Sequence, residues 1–255
     1  MLEQISTALA ETNPPARPVA VVVTGEPIEQ ARRRRGGFTQ LIRDALGGAR
    51  TELFEIDARA GGPPDLRDFA AVVVTGSPAS VTERAPWMLA TEARLVEAVE
   101  VGSWVLGICF GHQLLAQALG GRVAKNPRGR EIGTVSLTLA ERHALFAGTE
   151  PPHLANMTHV DAVVELPRGA RVLATSELDP HSALSFGERA FGVQFHPEID
   201  AEVMADYVAG RWELLVSEGL DAERIRGSIA EASAGRSVLA RFLELSGVAG
   251  RPVED

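Results

Sequence analysis

The sequence predicts an α/β protein with an open, mostly parallel sheet, helices on both faces and a small antiparallel addition. Valine-rich apolar runs alternate with helical patterns through the first half of the chain, which is typical of buried parallel strands. Beyond residue 130, strand-like runs follow one another with few helices between them, which favours antiparallel pairing. The 255 residues are 45% apolar, enough for one large core.

The first half of the chain alternates strands with helices. A polar stretch, residues 25–37, separates the first strand from the first helix and is predicted as a loop. The first helix ends at Gly47-Gly48, and the second has Pro86 in its first turn. The predicted strands are residues 19–24, 51–56, 70–75 and 104–108, and the predicted helices are residues 38–46, 86–99 and 114–119.

The second half begins with short strands and ends in helices. The predicted strands are residues 132–139, 162–166, 172–176, 183–186 and 190–195; one helix follows over 201–216, and one or two more over 221–247. Prolines make residues 1–17 a loose leader, and residues 251–255 are expected to fray. The predicted organisation is therefore a leader (1–17), one domain (18–219) and a C-terminal helical extension (220–255).

Composition excludes several classes of function. A formal net charge of −9 argues against general phosphate-backbone binding, so no nucleic-acid partner is expected. The single cysteine excludes an internal disulfide and fits a reducing, cytoplasmic location. No apolar run has the length of a signal peptide core or a membrane span. The histidines are too scattered to predict a metal site. The sequence has no phosphate-binding glycine loop, and no cofactor is expected.

The single cysteine, Cys109, lies in the pattern Gly107-Ile108-Cys109-Phe110-Gly111, between an apolar strand and a helical stretch. This pattern predicts a nucleophile elbow, a tight turn in which flanking glycines leave room for the strained backbone. A thiol at a helix N-terminus is also more readily ionised. The alternative is that Cys109 is merely a small buried residue.

A second motif, His196-Pro197-Glu198, ends the apolar run 191–195. An imidazole that accepts the thiol proton needs an acceptor to fix its tautomer, and Glu198 could provide it. Because the C-terminal ends of parallel strands share one edge, Cys109 and His196 are expected to meet there. By itself this motif could equally be a strand-to-helix turn.

Together these motifs resemble the class I (triad) glutamine amidotransferase family, in particular the glutaminase domain of GMP synthase and its stand-alone relatives. The run 72–78, ending in Gly76-Ser77-Pro78, resembles the family's oxyanion turn, and 157–161 resembles its glutamine-binding segment. The four matches occur in family order and span residues 18 to 215. The resemblance implies a flavodoxin-like amidotransferase fold.

The resemblance also implies a mechanism. Cys109 would attack the glutamine amide, His196 would transfer protons, and Glu198 would orient His196. Backbone N–H groups of Phe110 and of the Gly76-Ser77 turn would bind the oxyanion. Ser77 stands where the family usually has a second glycine, which leaves open whether the oxyanion hole is preformed or needs a partner. The alternative is that Gly76-Ser77 is an ordinary turn. The implied substrate-binding residues are Gln113, His159, Val160 and Asp161.

Three functions remain open at the level of sequence. The first is a glutaminase that passes ammonia to an acceptor or a synthetase partner, the second a γ-glutamyl peptidase or hydrolase, and the third a non-catalytic binding module. Because few residues follow the triad helix in this sequence, fewer than the synthetase domain of GMP synthase needs, we expect that this chain does not make GMP alone. A further run, Arg32 to Arg35, is either a solvated charge cluster or an anion site beside the catalytic edge.

Overall fold

The computed structural model describes residues 18–47 and 51–248. The predicted leader, residues 1–17, and the predicted frayed tail, residues 251–255, lie outside these ranges. The described strands are β1 (Val19–Val23), β2 (Leu53–Asp57), β3 (Ala71–Val74), β4 (Trp104–Ile108), β5 (Arg122–Lys125), β6 (Glu131–Leu139), β7 (His153–His159), β8 (Asp161–Glu165), β9 (Arg171–Thr175), β10 (Ala183–Ser185) and β11 (Ala190–Val193). The described α-helices are α1 (Glu29–Arg35), α2 (Phe38–Ala45), α3 (Pro86–Glu100), α4 (Phe110–Ala118), α5 (Ala201–Gly210), α6 (Trp212–Ser217), α7 (Ala222–Gly227) and α8 (Ser233–Leu245).

One nine-stranded sheet, in the order β2-β1-β3-β4-β11-β10-β9-β6-β7, organises the molecule. The strands from β2 to β11 are mutually parallel, and the strands beyond β11 pair antiparallel. Strands β5 and β8 form a separate antiparallel ribbon. The parallel strands therefore place the ends of β3, β4 and β11 side by side, and the predicted α/β fold is confirmed.

Both faces of the sheet are covered, which explains why the inner parallel strands β1, β3, β4 and β11 are apolar throughout, whereas the edge strand β2 is largely exposed. Helices α2 and α8 pack on one face and contribute Ile42 and Phe242 to its core. Helices α3 and α4 pack on the other face through Leu95 and Leu114. A third apolar cluster joins α1, α2, α5, α6 and α7 beside the C-terminal edge. None of the helices described is long and apolar enough to cross a membrane.

Two predictions about local structure are wrong. Residues 25–37 are not simply a loop, because they contain α1, whose Glu29 pairs with Arg32 and Arg33 within the helix. The predicted helix 201–216 is two helices that meet at Arg211, where φ is −112° and lies outside the helical range. Strands β5 and β7 were not predicted either, because their polar residues obscure the alternation that marks a strand.

Candidate active site

The elbow predicted at Cys109 is present between β4 and α4. Cys109 has φ of 50° and ψ of −102°, and only Arg84 shares a positive φ among the non-glycine residues described. A left-handed backbone is costly for a residue with a side chain and persists where the surrounding structure imposes it. Here the Cys109 N–H donates to the Val193 carbonyl oxygen of β11 at 2.8 Å, which ties the elbow to the neighbouring strand.

The two glycines that flank the elbow are required by close backbone approach. A Cβ atom added at Gly107 would lie 2.4 Å from the Gly111 carbonyl oxygen. One added at Gly111 would lie 2.4 Å from the carbonyl oxygen of Val74 on β3. The Gly-x-Cys-x-Gly spacing therefore allows α4 to begin directly against β3 and β4, with Cys109 at its N-terminus.

His196 and Glu198 form a buried pair just beyond the end of β11. The His196 Nδ1 and the Glu198 Oε1 are 2.7 Å apart, and the two residues are 3% and 5% exposed. Asn156 of β7 holds this segment from both ends, since its carbonyl oxygen accepts from the His196 N–H at 2.9 Å and its side-chain amide donates to the Ile199 carbonyl oxygen at 2.8 Å. The imidazole Nε2 is buried and has no hydrogen-bond partner within the described ranges.

Cys109 and His196 interact closely enough to shift each other's pKa. Burial is the largest influence on the Cys109 thiol and raises its pKa, but the charge and side-chain interaction of His196 and the charge of His159 together outweigh burial, so the net pKa is lowered. Burial lowers the pKa of His196, but Glu198 and Cys109 together raise it to about 10. Both shifts favour a thiolate beside an imidazolium, which is the state a nucleophilic cysteine requires.

The turn after β3 lies beside this pair. The Thr75 carbonyl oxygen accepts from the Gly111 N–H at 3.1 Å, and a Cβ added at Gly76 would lie 2.9 Å from His196 Cε1. The N–H groups of Gly76, Ser77 and Phe110 donate to no acceptor in the part of the chain that is described. Ser77 does not have a positive φ, so serine occupies this position without left-handed strain.

A polar cavity of about 310 Å³ adjoins Cys109 on one side. All four predicted substrate-binding residues line it, together with Phe110. These four residues are Gln113, His159, Val160 and Asp161. The polar cavity thus unites the start of α4 with the β7–β8 connection, two segments far apart in the sequence.

Hydrogen bonds fix the base of the polar cavity. The Gln113 Nε2 donates to the Asp161 carbonyl oxygen at 2.7 Å and to the Gln194 side-chain oxygen at 3.0 Å. The His159 Nε2 lies 3.2 Å from the Glu131 carboxylate; burial lowers the pKa of His159, but this carboxylate helps to raise it overall. Gln113 and His159 are therefore already held in place by protein groups.

A larger cavity of about 520 Å³ adjoins Cys109 on the side of His196, and we call it the apolar cavity. Ile28, Phe38 and Tyr207 line it with their side chains. The Phe38 and Tyr207 rings lie 6.3 and 6.4 Å from the imidazole of His196, measured between centroids. Arg211 borders both cavities and lies over the Tyr207 ring at 5.0 Å.

The described residues hold no group of three or more histidine, cysteine, aspartate or glutamate side chains able to bind a metal ion. The candidate site offers a thiol, an imidazole and a carboxylate group. These are arranged in the order that covalent acyl transfer uses, with the nucleophile next to the base and the base next to an orienting acceptor.

Comparison with known proteins identifies the family. The family model for glutamine amidotransferase class-I matches residues 35–209, well over half of the chain. The chain belongs to the class-I glutamine amidotransferase family. The predicted family and the predicted amidotransferase enzyme class are therefore confirmed.

Relatives of this class-I amidotransferase fall into two groups. GMP synthase (glutamine-hydrolyzing) from Clostridium novyi is 36% identical over 162 residues, which are 63% of this chain and 30% of that protein. Gamma-glutamyl peptidase 3 from Arabidopsis thaliana is 28% identical over 217 residues, which are 82% of this chain and 87% of that protein. The chain thus spans less than a third of the GMP synthase it matches and most of the peptidase.

Solved structures share the fold of this class-I amidotransferase. A glutamine amidotransferase from Thermotoga maritima superimposes with a TM-score of 0.69 at 21% identity, covering 92% of this chain and 99% of that chain. A glutamine amidotransferase from Methylobacillus flagellatus gives a TM-score of 0.69 at 22% identity, and the superposition covers 90% of this chain and 95% of that chain. At this identity the likeness extends to the fold alone.

Sequence reasoning missed several residues of the site. Asn156 and Glu131 lie on antiparallel strands, and nothing local distinguishes them from other strand polar residues. Arg211 had a signal, because it is the only basic residue of the predicted helix 201–216 and follows Gly210. Phe38 and Tyr207 gave none, because apolar residues at helical spacing usually belong to the core, and Ile28 gave none, because it lies in the stretch 25–37 that is predicted as a loop.

Proposed function

We propose that this chain hydrolyses the side-chain amide of L-glutamine through a γ-glutamyl thioester on Cys109, and that it releases ammonia. The arrangement that supports the proposal is Cys109 in a strained elbow, with the His196–Glu198 pair at the end of the adjacent parallel strand. A buried imidazole with one nitrogen bonded to a carboxylate and the other without a partner has the fixed tautomer of a proton carrier.

In the first step, the Cys109 thiolate attacks the amide carbon of the substrate and forms a C–S bond. The negative charge moves to the amide oxygen, and the N–H groups of Phe110 and of Gly76 or Ser77 are the donors we assign to it. Losing one such donor typically costs about 10²–10³ in rate. The C–N bond then breaks, and the proton on His196 Nε2 passes to the departing nitrogen.

In the second step, water hydrolyses the thioester. His196, now neutral, takes a proton from the water as its oxygen attacks the thioester carbon. The C–S bond breaks, which releases glutamate and regenerates the thiolate beside the imidazolium. Throughout, Glu198 keeps Nδ1 protonated and the imidazole correctly oriented, and it stabilises the imidazolium without taking its proton.

We assign recognition of the amino-acid end of the substrate to the polar cavity. Gln113, His159, Val160 and Asp161 line it beside Phe110, close to the proposed oxyanion donors. Because Gln113 is held by the Asp161 carbonyl oxygen, its side-chain oxygen keeps a fixed position, and both ring nitrogens of His159 are already bonded, to the Asp161 carbonyl oxygen and the Glu131 carboxylate. Pre-organised polar groups of this kind provide orientation without an added ordering cost.

The fate of the ammonia depends on a partner or an acceptor. The chain is similar to part of the Clostridium novyi GMP synthase (glutamine-hydrolyzing), so we propose that the ammonia passes to a synthetase or another acceptor. We assign the activity to residues 18–219, because the residues of α8 line neither cavity. A free, activated thiol also favours a reducing compartment such as the cytoplasm.

A second candidate function is hydrolysis of γ-glutamyl amides or peptides larger than glutamine. The observation in its favour is the match to Gamma-glutamyl peptidase 3, which covers 87% of that protein, whereas the GMP synthase match covers 30%. The covalent chemistry would be the same. Only the group attached to the amide nitrogen would differ.

The test is release of ammonia from L-glutamine by the purified chain, with Cys109→Ala as the inactive variant and Leu89→Ala, an exposed position on α3, as the control. We expect turnover with the wild type and Leu89→Ala and none with Cys109→Ala. Mass spectrometry of acid-quenched protein should detect one γ-glutamyl group on Cys109. Equal turnover by Cys109→Ala, or no turnover and no adduct with any γ-glutamyl amide, would contradict the proposal.

A further inference from the structure

The apolar cavity lies on the side of Cys109 that the departing amine must occupy, if the proposed hydrolysis is correct. His196 must give its proton to the amide nitrogen, so the nitrogen and its substituent lie beside the imidazole. His196 lines the apolar cavity and not the polar one, whereas Phe110 and Gln113 line only the polar one. The scissile amide therefore spans the boundary between the two cavities.

The apolar cavity is much larger than ammonia requires. Its volume is about 520 Å³. One water molecule, which is close to ammonia in size, occupies about 30 Å³ of the liquid. Cavities that bind organic ligands usually measure about 300–1,000 Å³. The space beside His196 therefore has the dimensions of a binding site for an organic group.

The lining beside the imidazole indicates an apolar occupant, because the two arginines that also line the cavity are engaged already, Arg32 with Glu29 and Arg211 with the Tyr207 ring. Ile28, Phe38 and Tyr207 supply one aliphatic and two aromatic surfaces beside the imidazole. The two carboxylates in the lining of the apolar cavity are already paired: Glu26 with Arg59 at 3.1 Å, and Glu29 with Arg32 at 3.0 Å. A cationic amine would have to compete with an arginine for either carboxylate, whereas an apolar group would gain from leaving water.

The helix that closes the apolar cavity is held firmly. Arg34 of α1 pairs with Asp206 at 2.6 Å and with Glu202 at 2.7 Å, both on α5. The Ile28 N–H donates to the Tyr207 hydroxyl at 3.3 Å, so two residues of the cavity lining are joined directly. The arginine run singled out in the sequence therefore fastens α1 to α5 and fixes the shape of the cavity.

We infer that the apolar cavity binds the amine half of the substrate, and that this chain prefers γ-glutamyl amides of apolar or aromatic amines to glutamine. The inference rests on the proposed amide hydrolysis and names its substrate class. The step balances as before: the thiolate forms the C–S bond, the C–N bond breaks, and the proton from His196 leaves with the free amine. Water then converts the thioester to glutamate.

The first experiment compares kcat/KM of the wild type for four substrates. These are L-glutamine, γ-glutamyl methylamide, γ-glutamyl benzylamide and γ-glutamyl putrescine, with release of glutamate as the common readout. Benzylamine is close to ammonia in basicity, so a difference between these two leaving groups reports binding and not intrinsic reactivity. We expect the benzylamide to exceed glutamine and the methylamide at least tenfold, because each apolar group in a fitted pocket contributes a factor of about ten or more.

The second experiment fills the cavity with Ile28→Trp and uses Leu89→Trp, on the exposed surface of α3, as the matched control. We expect Ile28→Trp to lower the ratio of benzylamide to glutamine kcat/KM at least tenfold, and Leu89→Trp to leave the ratio unchanged. Circular dichroism and thermal melting establish whether each variant folds. If Ile28→Trp does not fold, the wild-type comparison decides alone.

The outcomes separate this inference from the proposed function. Turnover of glutamine equal to or faster than that of the benzylamide would overturn the inference and leave the proposed glutaminase in place. Preference for the putrescine amide would also overturn it, because the cavity would then select a cation. Absence of turnover and of a thioester with all four substrates would refute the proposed function itself, and the inference with it.

Discussion

The two cavities beside Cys109 differ in how their linings are built. The polar cavity is lined by residues whose side chains already bond to protein groups, such as Gln113 to Asp161 and His159 to Glu131. The apolar cavity is lined by Ile28, which leads into α1, and an ion pair between Arg34 and Asp206 holds α1 against α5. One side is fixed by hydrogen bonds within the site, and the other by the packing of a helix.

We expect from this difference a division of labour in substrate recognition: the polar cavity would recognise the γ-glutamyl part, and the apolar cavity the amine part. Directional polar groups recognise a constant part of a substrate, because they reject any group that leaves them unpaired. Apolar surfaces discriminate mainly by size and accept related groups to similar degrees. We therefore expect variants of the polar cavity to affect all γ-glutamyl substrates alike, and variants of the apolar cavity to change their order of preference.

The largest effect should come from His196, the proposed proton carrier for every amide substrate. We expect His196→Ala to lower kcat/KM for every amide substrate by at least about 10⁴-fold, because neither proton transfer can occur. Glu198→Gln should be less severe by about one to two powers of ten, because Glu198 orients the imidazole and carries no proton. Initial rates on glutamine and the benzylamide measure both. Equal losses in two folded variants would imply a direct role for Glu198.

Glu198→Gln should also change the pH profile. In the wild type, Glu198 and Cys109 raise the pKa of His196 to about 10 against the lowering effect of burial, so activity is lost on the alkaline side only as pH approaches that value. Without the carboxylate, the alkaline limb of kcat/KM should move to lower pH. Glu213→Gln, on the exposed side of α6, is the control and should leave the limb in place. An unmoved limb in Glu198→Gln would show that the carboxylate does not set this pKa.

Gln113→Leu should have an intermediate effect and sharpen the distinction between the cavities. The change removes donors to the Asp161 carbonyl and the Gln194 side chain, which cost about 1–3 kcal/mol when buried without a partner. We expect kcat/KM to fall about 10- to 10²-fold, by the same factor for glutamine and for the benzylamide. Gln117→Leu, on the same helix but outside the polar cavity, is the control. A loss confined to one substrate would contradict the division of labour.

The smallest effect should follow from the arginine run. Arg34→Ala leaves the nearly buried Asp206 without its partner and should lower the free energy of unfolding by about 1 kcal/mol. The ratio of benzylamide to glutamine kcat/KM should also fall slightly. Arg33→Ala removes an exposed contact within α1 and should change stability by less than about 0.5 kcal/mol. Thermal melting and the substrate ratio measure both. Equal effects of the two changes would argue against a fastening role for Arg34.

The sequence by itself determined the parallel half of the sheet and the reactive centre. Strand β4 is predicted at its observed bounds, Trp104–Ile108, because a buried parallel strand is apolar along its whole length. The elbow follows from the glycine spacing around Cys109, and the imidazole–carboxylate pair from residues 196 and 198. These features are readable because each depends on neighbours a few residues away.

The tertiary structure alone decided what surrounds that centre. Helix α1 forms from a polar segment because carboxylates of α5, such as Glu202, 168 residues beyond Arg34, neutralise its arginines. Asn156 supports the segment after His196 from a strand that the sequence did not reveal. The apolar cavity arises where α1, α2 and α5 meet. Long-range ion pairs and helix packing create these features, and their energies appear only when distant segments come together.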